Sequence, residues 1–231
     1  MKIKCGMILA AGLGKRMQPI TLKTPKPLIQ IGDKKLLDRA LELLINHGVD
    51  EIVINVHHLA DQIKSFIYKK KYKAKITISH EQDALLDTGG GILKATKSFK
   101  EPFVVVNPDT LWSNVYLSEL KDLEDLYFQH KKTSLLLVNK SLSFDSSFRG
   151  DFNLQDNIVS RDNSNELIFT GLQILDHSVF SSIKDKIFSM NDIWNNLIIN
   201  NSLIGIKSNQ KFYHLNTKEM YDKIINFNIT G

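Results

Sequence analysis

Cysteine is almost absent: Cys5 is the single one in 231 residues. That excludes an internal disulfide and any zinc site built from several cysteines. It suits a reducing compartment, and the expected location is the cytoplasm. No apolar run approaches the roughly eighteen residues that span a bilayer, so no membrane partner is expected. The apolar stretch Cys5–Ala11 follows Met1–Lys4 and meets the glycine-rich Gly12–Gly14 at once. It therefore reads as a buried first strand, not as a signal peptide. The excess of one sign of charge is small too. The net charge is +5, and the densest basic run, Lys69, Lys70, Lys71, Lys73 and Lys75, has no regularly interleaved aromatics. A solvated helix end accounts for that run, and nucleic acid is not expected as a partner. No internal repeat and no low-complexity tract is present.

What is there is ordinary for a globular chain, with 42% hydrophobic and 24% charged residues and ample length for one core. The first 140 residues alternate in period. Strands are expected at Lys4–Leu9, Glu51–Val56, Lys75–Ser79, Phe103–Val106 and Ser134–Val138. Helices are expected at Lys35–His47, Leu59–Tyr68, Gly91–Phe99 and Tyr116–His130. Such alternation predicts a Rossmann-like α/β fold: a mixed, mostly parallel sheet with helices on both faces. The remainder reads as strands Asp151–Gln155 and Leu167–Leu175 separated by the polar stretch Asp156–Glu166, a hairpin or turn. A helix at Met190–Ile199, short strands at Leu203–Lys207 and Lys211–Leu215, and a closing helix at Lys218–Phe227 follow. This is a small C-terminal lobe on the same sheet, within a single domain spanning 1–231.

The most informative segment is Leu9-Ala10-Ala11-Gly12-Leu13-Gly14-Lys15-Arg16-Met17-Gln18-Pro19, then Thr21 and Pro25-Lys26-Pro27-Leu28. It follows a strand, and open α/β sheets bind ligands at the carboxyl ends of their strands. The small residues Ala10, Ala11, Gly12 and Gly14, after Leu9, let backbone N–H groups approach a phosphate chain. Arg16 offers a permanently charged fork of donors, and two prolines stiffen the backbone around Lys26. Gly-Leu-Gly alone marks a turn. The string is neither a dinucleotide fingerprint, which would need glycine at Met17, nor a P-loop.

Taken whole, the string resembles the signature of the sugar-1-phosphate nucleotidyltransferases, and within them the short N-acetylmuramate 1-phosphate uridylyltransferase-like group. The resemblance implies transfer of a nucleotidyl group, UTP being the first choice, to a sugar 1-phosphate, with release of pyrophosphate. It places the chain in cell-wall sugar metabolism. It implies a nucleotide-binding part at 1–140 and a sugar-binding lobe with its closing helix at 141–231. Arg16 and Lys26 would bind and activate the triphosphate, and Asp109, in Asn107-Pro108-Asp109-Thr110 after a buried strand, would hold Mg²⁺, with Mn²⁺ able to substitute. The run Asp87-Thr88-Gly89-Gly90-Gly91, following Glu81, resembles the family's base-recognition loop, so Glu81, Thr88 and Gly89 join the expected nucleotide site. Read by itself, that run is a flexible turn.

Asn107, Asp151, Thr170 and Gly171 make up the expected substrate-binding set, and Gly150-Asp151 is equally readable as a plain turn. Two departures stand out. Pro108 replaces the family's glycine. His214 and Asn216 stand where many relatives carry aspartate and glycine, the aspartate being a second metal ligand. His214 is a candidate second ligand, a phosphate contact, or a strand histidine beneath the closing helix. Other bases and acceptors, among them GTP, dTTP or CTP with glucose, mannose, heptose or phosphocholine phosphates, remain alternatives. So does a catalytically weak sugar-nucleotide-binding protein.

Overall fold

The computed structural model describes residues 1–227. Among the described residues eleven strands are formed: β1 (Cys5–Ala10), β2 (Gln30–Ile31), β3 (Lys34–Lys35), β4 (Glu51–Val56), β5 (Lys75–His80), β6 (Phe103–Val106), β7 (Thr133–Asn139), β8 (Asn153–Gln155), β9 (Ile158–Ser160), β10 (Leu167–Leu175) and β11 (Leu203–Ser208). The helices are α1 (Leu36–His47), α2 (Ala60–Tyr68), α3 (Asp87–Ala95), α4 (Leu117–His130), α5 (Met190–Ile199) and α6 (Lys218–Asn226).

Nine of the strands form one sheet in the order β5-β4-β1-β6-β10-β7-β11-β9-β8, and β2 with β3 make a small hairpin apart. β1 runs parallel to β4 and β6, β4 parallel to β5, and β11 parallel to β7. β10 lies antiparallel between β6 and β7. Six of the first seven strands in that order therefore point one way, which makes the sheet mixed but mostly parallel. Their carboxyl ends form a single edge, and β1 and β6 deliver their loops side by side there.

Strand periodicity sorts the core. Ile8, Ile52, Ile54, Val104 and Val106 face one side and pack under α1, α2 and α4. Met7, Val53, Phe103 and Val105 face the other, where Ile92 of α3 and Met190, Ile193 and Trp194 of α5 cover them. Both faces are covered, so β6 reads as an unbroken apolar run. A third cluster joins Met17, Ile29, Ile31, Leu36, Leu111 and Leu215 to Met220 and Ile224 of α6. Through it the closing helix buttresses the loops at the sheet's carboxyl edge.

Two expected elements need correction and a third gains detail. Lys211–Leu215 is not a ladder strand; it makes two isolated bridges, Ser143 to Phe212 and Thr110 to His214. The polar stretch Asp156–Glu166 contains β9, because Asp156 and Asn157 both take positive φ (48° and 62°) and close a tight hairpin with β8, the turn geometry that matches strand twist. The third helix starts at Asp87, not Gly91. Its glycines look like helix breakers in isolation, but the chain at 186–188 packs onto them. The N–H groups of Gly89 and Gly90 both donate to the Phe188 carbonyl, at 3.0 and 3.1 Å. A β-carbon on Gly90 would lie 2.2 Å from the Lys186 carbonyl oxygen. Gly90→Ala should thus lower stability by about 1–3 kcal/mol through overpacking, measured as a reduced midpoint in urea. An unchanged midpoint would mean that this contact yields freely.

Candidate active site

β1 ends at Ala10 and the chain turns across the carboxyl edge of the sheet. Gly14 adopts φ +62°, and a β-carbon there would come within 2.8 Å of Thr21 Cγ2. The Thr21 hydroxyl donates to the Gly14 carbonyl at 2.8 Å and fastens the loop. Lys26 opens a short 3₁₀ turn after Pro25, which sits in extended geometry. From there it reaches across to the loop after β6.

That loop carries Asp109. Lys26 Nζ lies 2.6 Å from Asp109 Oδ2, and His214 Nε2 lies 3.1 Å from the same oxygen. Backbone bonds lace the two loops together: Leu215 N–H donates to the Asp109 carbonyl at 2.8 Å, and Leu111 N–H to the Tyr213 carbonyl at 2.9 Å. Burial opposes charge on Asp109, yet Lys26 and His214 prevail and hold its carboxyl far below the usual carboxylate range, as opposite charges at contact distance do.

The cavity above this pair has a volume of about 350 Å³. Its floor is the phosphate-loop candidate, Leu9, Ala10, Ala11, Gly12, Gly14, Lys15, Arg16, Met17, Lys26 and Pro27. Asn55, Leu85, Asp87 and Thr88 form one wall; Asn107, Pro108, Asp109 and Asn216 form the other. Sequence reasoning thus assembled most of one contiguous site. It missed Asn55 and Leu85, and it named Asp87 only as the first residue of the glycine run. The left-handed φ of Asp87, 59°, is a feature no spacing announces. Asn55, in the middle of a β-branched strand, was the one legible signal.

Six expected residues, Glu81, Gly89, Asp151, Thr170, Gly171 and His214, lie outside the cavity lining. Glu81 is 1% exposed and spends both oxygens inside the protein, on Asn55 Nδ2 at 2.7 Å and Leu86 N–H at 2.9 Å. Gly89 gives its N–H to Phe188, as described, so it is not a free backbone donor for a base. Thr170 is buried; its hydroxyl donates to the Leu136 carbonyl at 2.8 Å, and its own carbonyl accepts from the Thr110 hydroxyl at 2.7 Å. Gly171, at φ +93°, supports the site from behind. It sits in the irregular stretch of β10, its carbonyl accepts the Asn107 N–H at 2.7 Å, and a β-carbon would strike the Asn107 side chain at 2.8 Å.

Asp151 also stands apart, with Oδ2 accepting the Phe169 N–H at 2.9 Å. Burial pushes its pKa up, while the Phe169 N–H and the charges of Arg161 and His214 resist. Arg161 is not a spare cation, since it donates to the Asp151 carbonyl, Asn195 and Asn191. Thr88, by contrast, faces the cavity while its hydroxyl oxygen accepts the Met190 N–H at 2.9 Å, which ties this wall to α5.

The donor set fits a hard divalent cation in one specific way. Asp109 Oδ1 is buried and has no hydrogen-bond partner. It is a single free carboxylate oxygen, and among the described residues no group of three or more His, Cys, Asp or Glu side chains gathers as a metal cage. Mg²⁺ characteristically accepts one or two carboxylates and takes its other ligands from water and phosphate. His214 spends Nε2 on Asp109 and keeps Nδ1 buried and without a partner.

A family model described as nucleotidyl transferase matches residues 5–141. The chain belongs to the nucleotidyl transferase family. It is a sugar-1-phosphate nucleotidyltransferase, an enzyme that moves a nucleotidyl group onto a sugar phosphate. The transferase is 29% identical to an N-acetylmuramate alpha-1-phosphate uridylyltransferase of Caulobacter vibrioides, covering 92% of this chain and 91% of that one. It is 34% identical to a protein of the same description from Neisseria meningitidis serogroup B, over 77% and 78%. In fold it resembles a UDP-glucose pyrophosphorylase complexed with UDP-glucose, with TM-score 0.80, 20% identity and 97% and 98% coverage. It also resembles an inositol-1-phosphate CTP transferase from T. maritima, with TM-score 0.79, 13% identity and 100% and 98% coverage. No helix among the transferase's described residues is long and apolar enough to cross a membrane.

Proposed function

We propose that the chain transfers the uridylyl group of UTP to N-acetylmuramate 1-phosphate in the cytoplasm and releases pyrophosphate. The observation that carries this reading is the convergence of Lys26 and Asp109, 2.6 Å apart, beneath a cavity floored by the Leu9–Arg16 loop. Similarity along almost the whole chain to an N-acetylmuramate alpha-1-phosphate uridylyltransferase supports the choice of sugar and base. Residues 1–140 would bind the nucleotide, and 141–231 would bring the sugar side.

An oxygen of the sugar phosphate attacks the α-phosphorus of UTP. A new P–O bond forms, the bond from the α-phosphorus to its bridging oxygen breaks, and pyrophosphate departs with the electron pair. The nucleophile is already an anion, so no general base is required and catalysis is positioning plus charge neutralisation. The Leu9–Gly14 backbone and the exposed fork of Arg16 receive the β- and γ-phosphates. Lys26, poised on its stiffened turn, exchanges Asp109 for the α-phosphate. Asn55, Leu85, Asp87 and Thr88 would border the base; Asn107 and, from outside the cavity lining, Asp151 would serve the sugar side. A divalent cation, Mg²⁺ or in its place Mn²⁺, would be held by Asp109 and would neutralise charge on phosphate oxygens. Cys5, part-buried in β1, has no role in this scheme.

The test is pyrophosphate release with UTP, dTTP, CTP and GTP, each paired with the 1-phosphates of N-acetylmuramate, glucose, mannose and heptose and with phosphocholine. UTP with N-acetylmuramate 1-phosphate should be fastest. A faster pair would reassign the substrates. No release from any pair would favour the sugar-nucleotide-binding alternative, whose one structural support is the His214–Asp109 pairing where two carboxylates are the family habit.

His214 gives a further prediction. Its neighbour Asn216 has changed with it, and Asn216 Nδ2 donates to Asp145 at 2.9 Å. The pair therefore reads as an adapted arrangement, and His214→Asp should be harmful. It would set a second carboxylate against Asp109 Oδ2 and repel substrate phosphates, lowering turnover by about tenfold or more. Mg²⁺ titrations of the initial rate for wild type, His214→Asp and His214→Ala decide this. Tighter magnesium dependence and faster turnover in His214→Asp would reverse the assignment.

A further inference from the structure

The floor of the cavity, the phosphate loop, and its Leu85–Thr88 wall leave different strands of the sheet, β1 and β5. Behind them runs a buried chain of three hydrogen bonds. Ala10 N–H donates to Asn55 Oδ1 at 2.8 Å; Asn55 Nδ2 donates to Glu81 Oε1 at 2.7 Å; Leu86 N–H donates to Glu81 Oε2 at 2.9 Å. Asn55 and Glu81 are each 1% exposed. Gly91 lies against the middle of the chain, where a β-carbon would be 2.8 Å from Asn55 Nδ2 and 2.9 Å from Glu81 Oε1. The third glycine of the run is thus explained by this contact.

We propose that Asn55 and Glu81 are positioning residues that fix the spacing between the triphosphate floor and the base wall, and that their pairing requires one carboxylate and one carboxamide. The proposal rests on the nucleotide site described above. Its logic is one of polarity. Both ends of the relay are backbone N–H groups, which can only donate. Ala10 N–H forces the Asn55 carboxamide to turn its oxygen toward β1 and its NH₂ toward Glu81. Leu86 N–H claims the second oxygen of Glu81. Residue 81 must accept on both sides, and of side chains this length only a carboxylate does. A glutamine there has a single acceptor, and wherever the two amides flip, one pair of donors is left opposed in the interior. Such an unmade buried bond is costly, and the chain responds by moving one wall.

Glu81→Gln should therefore weaken UTP binding by about tenfold. It should leave the binding of inorganic tripolyphosphate, which touches the floor alone, unchanged. Asn55→Asp should do the same, because two acceptors then face each other. The double variant Asn55→Asp with Glu81→Gln restores every bond with the carboxylate moved one position along the relay. Its UTP affinity should return to within about threefold of wild type.

The experiment is calorimetric titration of wild type, both single variants and the double variant with UTP and with tripolyphosphate, alongside thermal melts. Selective loss of UTP affinity in either folded single variant, repaired in the double, supports the relay. Equal loss of UTP and tripolyphosphate binding, unchanged UTP affinity in a folded Glu81→Gln protein, or a folded double variant without recovery overturns it. If a single variant fails to fold, the double variant alone decides. A wild type that binds tripolyphosphate but none of UTP, dTTP, CTP or GTP overturns the nucleotide site itself, and the relay's role with it.

Discussion

Replacing Lys26 with alanine should reduce turnover by about two to three powers of ten, the loss seen when a preorganised donor is withdrawn from a developing charge. The motif and the geometry argue this together. Pro25 and Pro27 limit the backbone, and the ammonium sits 2.6 Å from Asp109 with its side chain only 15% exposed. Lys26 is thus held at the junction of the phosphate floor and the Asp109 loop, with little freedom to lose when substrate arrives. The fold should survive, because His214 still faces Asp109 in the variant. A modest drop in melting temperature is expected from the half-compensated carboxylate. Lys26→Arg keeps the charge but trades a compact ammonium for a broad fork, and should fall between the two. Initial rates of pyrophosphate release, with melts as a control for folding, give the answer. Near-normal turnover in Lys26→Ala would remove the residue from the mechanism.

Activity should vanish in a chelator and return with Mg²⁺ or Mn²⁺, and Asp109→Asn should lose it by about a hundredfold or more even at saturating metal. The substitution preserves shape and keeps an oxygen for Lys26 and His214, so it isolates charge. Its effect should fall on the unpartnered Oδ1, the atom available to a hard cation. Full activity in the chelator would defeat the metal assignment. An Asp109→Asn protein with normal rates and normal Mg²⁺ dependence would show that the cation is held elsewhere.

Legibility varied along the chain with the range of the forces involved. Glu51–Val56, Phe103–Val106, Leu167–Leu175 and Met190–Ile199 were readable to the residue, since each declares its period through its own side chains. Gly48, after α1, takes the left-handed cap at φ 101°, a conformation that glycine adopts without strain. Lys211–Leu215 misled, because alternation supplies the pattern of a strand but not a neighbouring edge to pair with. The start of α3 misled for the opposite reason: three glycines argue locally against a helix, and contact with a segment about a hundred residues away supplies what propensity withholds.

By itself the sequence determined the alternating α/β plan, the two-sided core, and the candidate chemistry of the Leu9–Lys26 string and Asp109. These depend on periodicity and on residue types whose properties travel with them. The tertiary structure alone decided which candidates share a cavity. It brought Lys26, Asp109 and His214 to one oxygen, enlisted Asn55 and Leu85, and withdrew Glu81, Gly89 and Thr170 into supporting roles. Spacing in sequence cannot tell a carboxylate that faces a ligand from one that faces two buried donors. Only the folded chain, by matching each buried donor with an acceptor, makes that distinction.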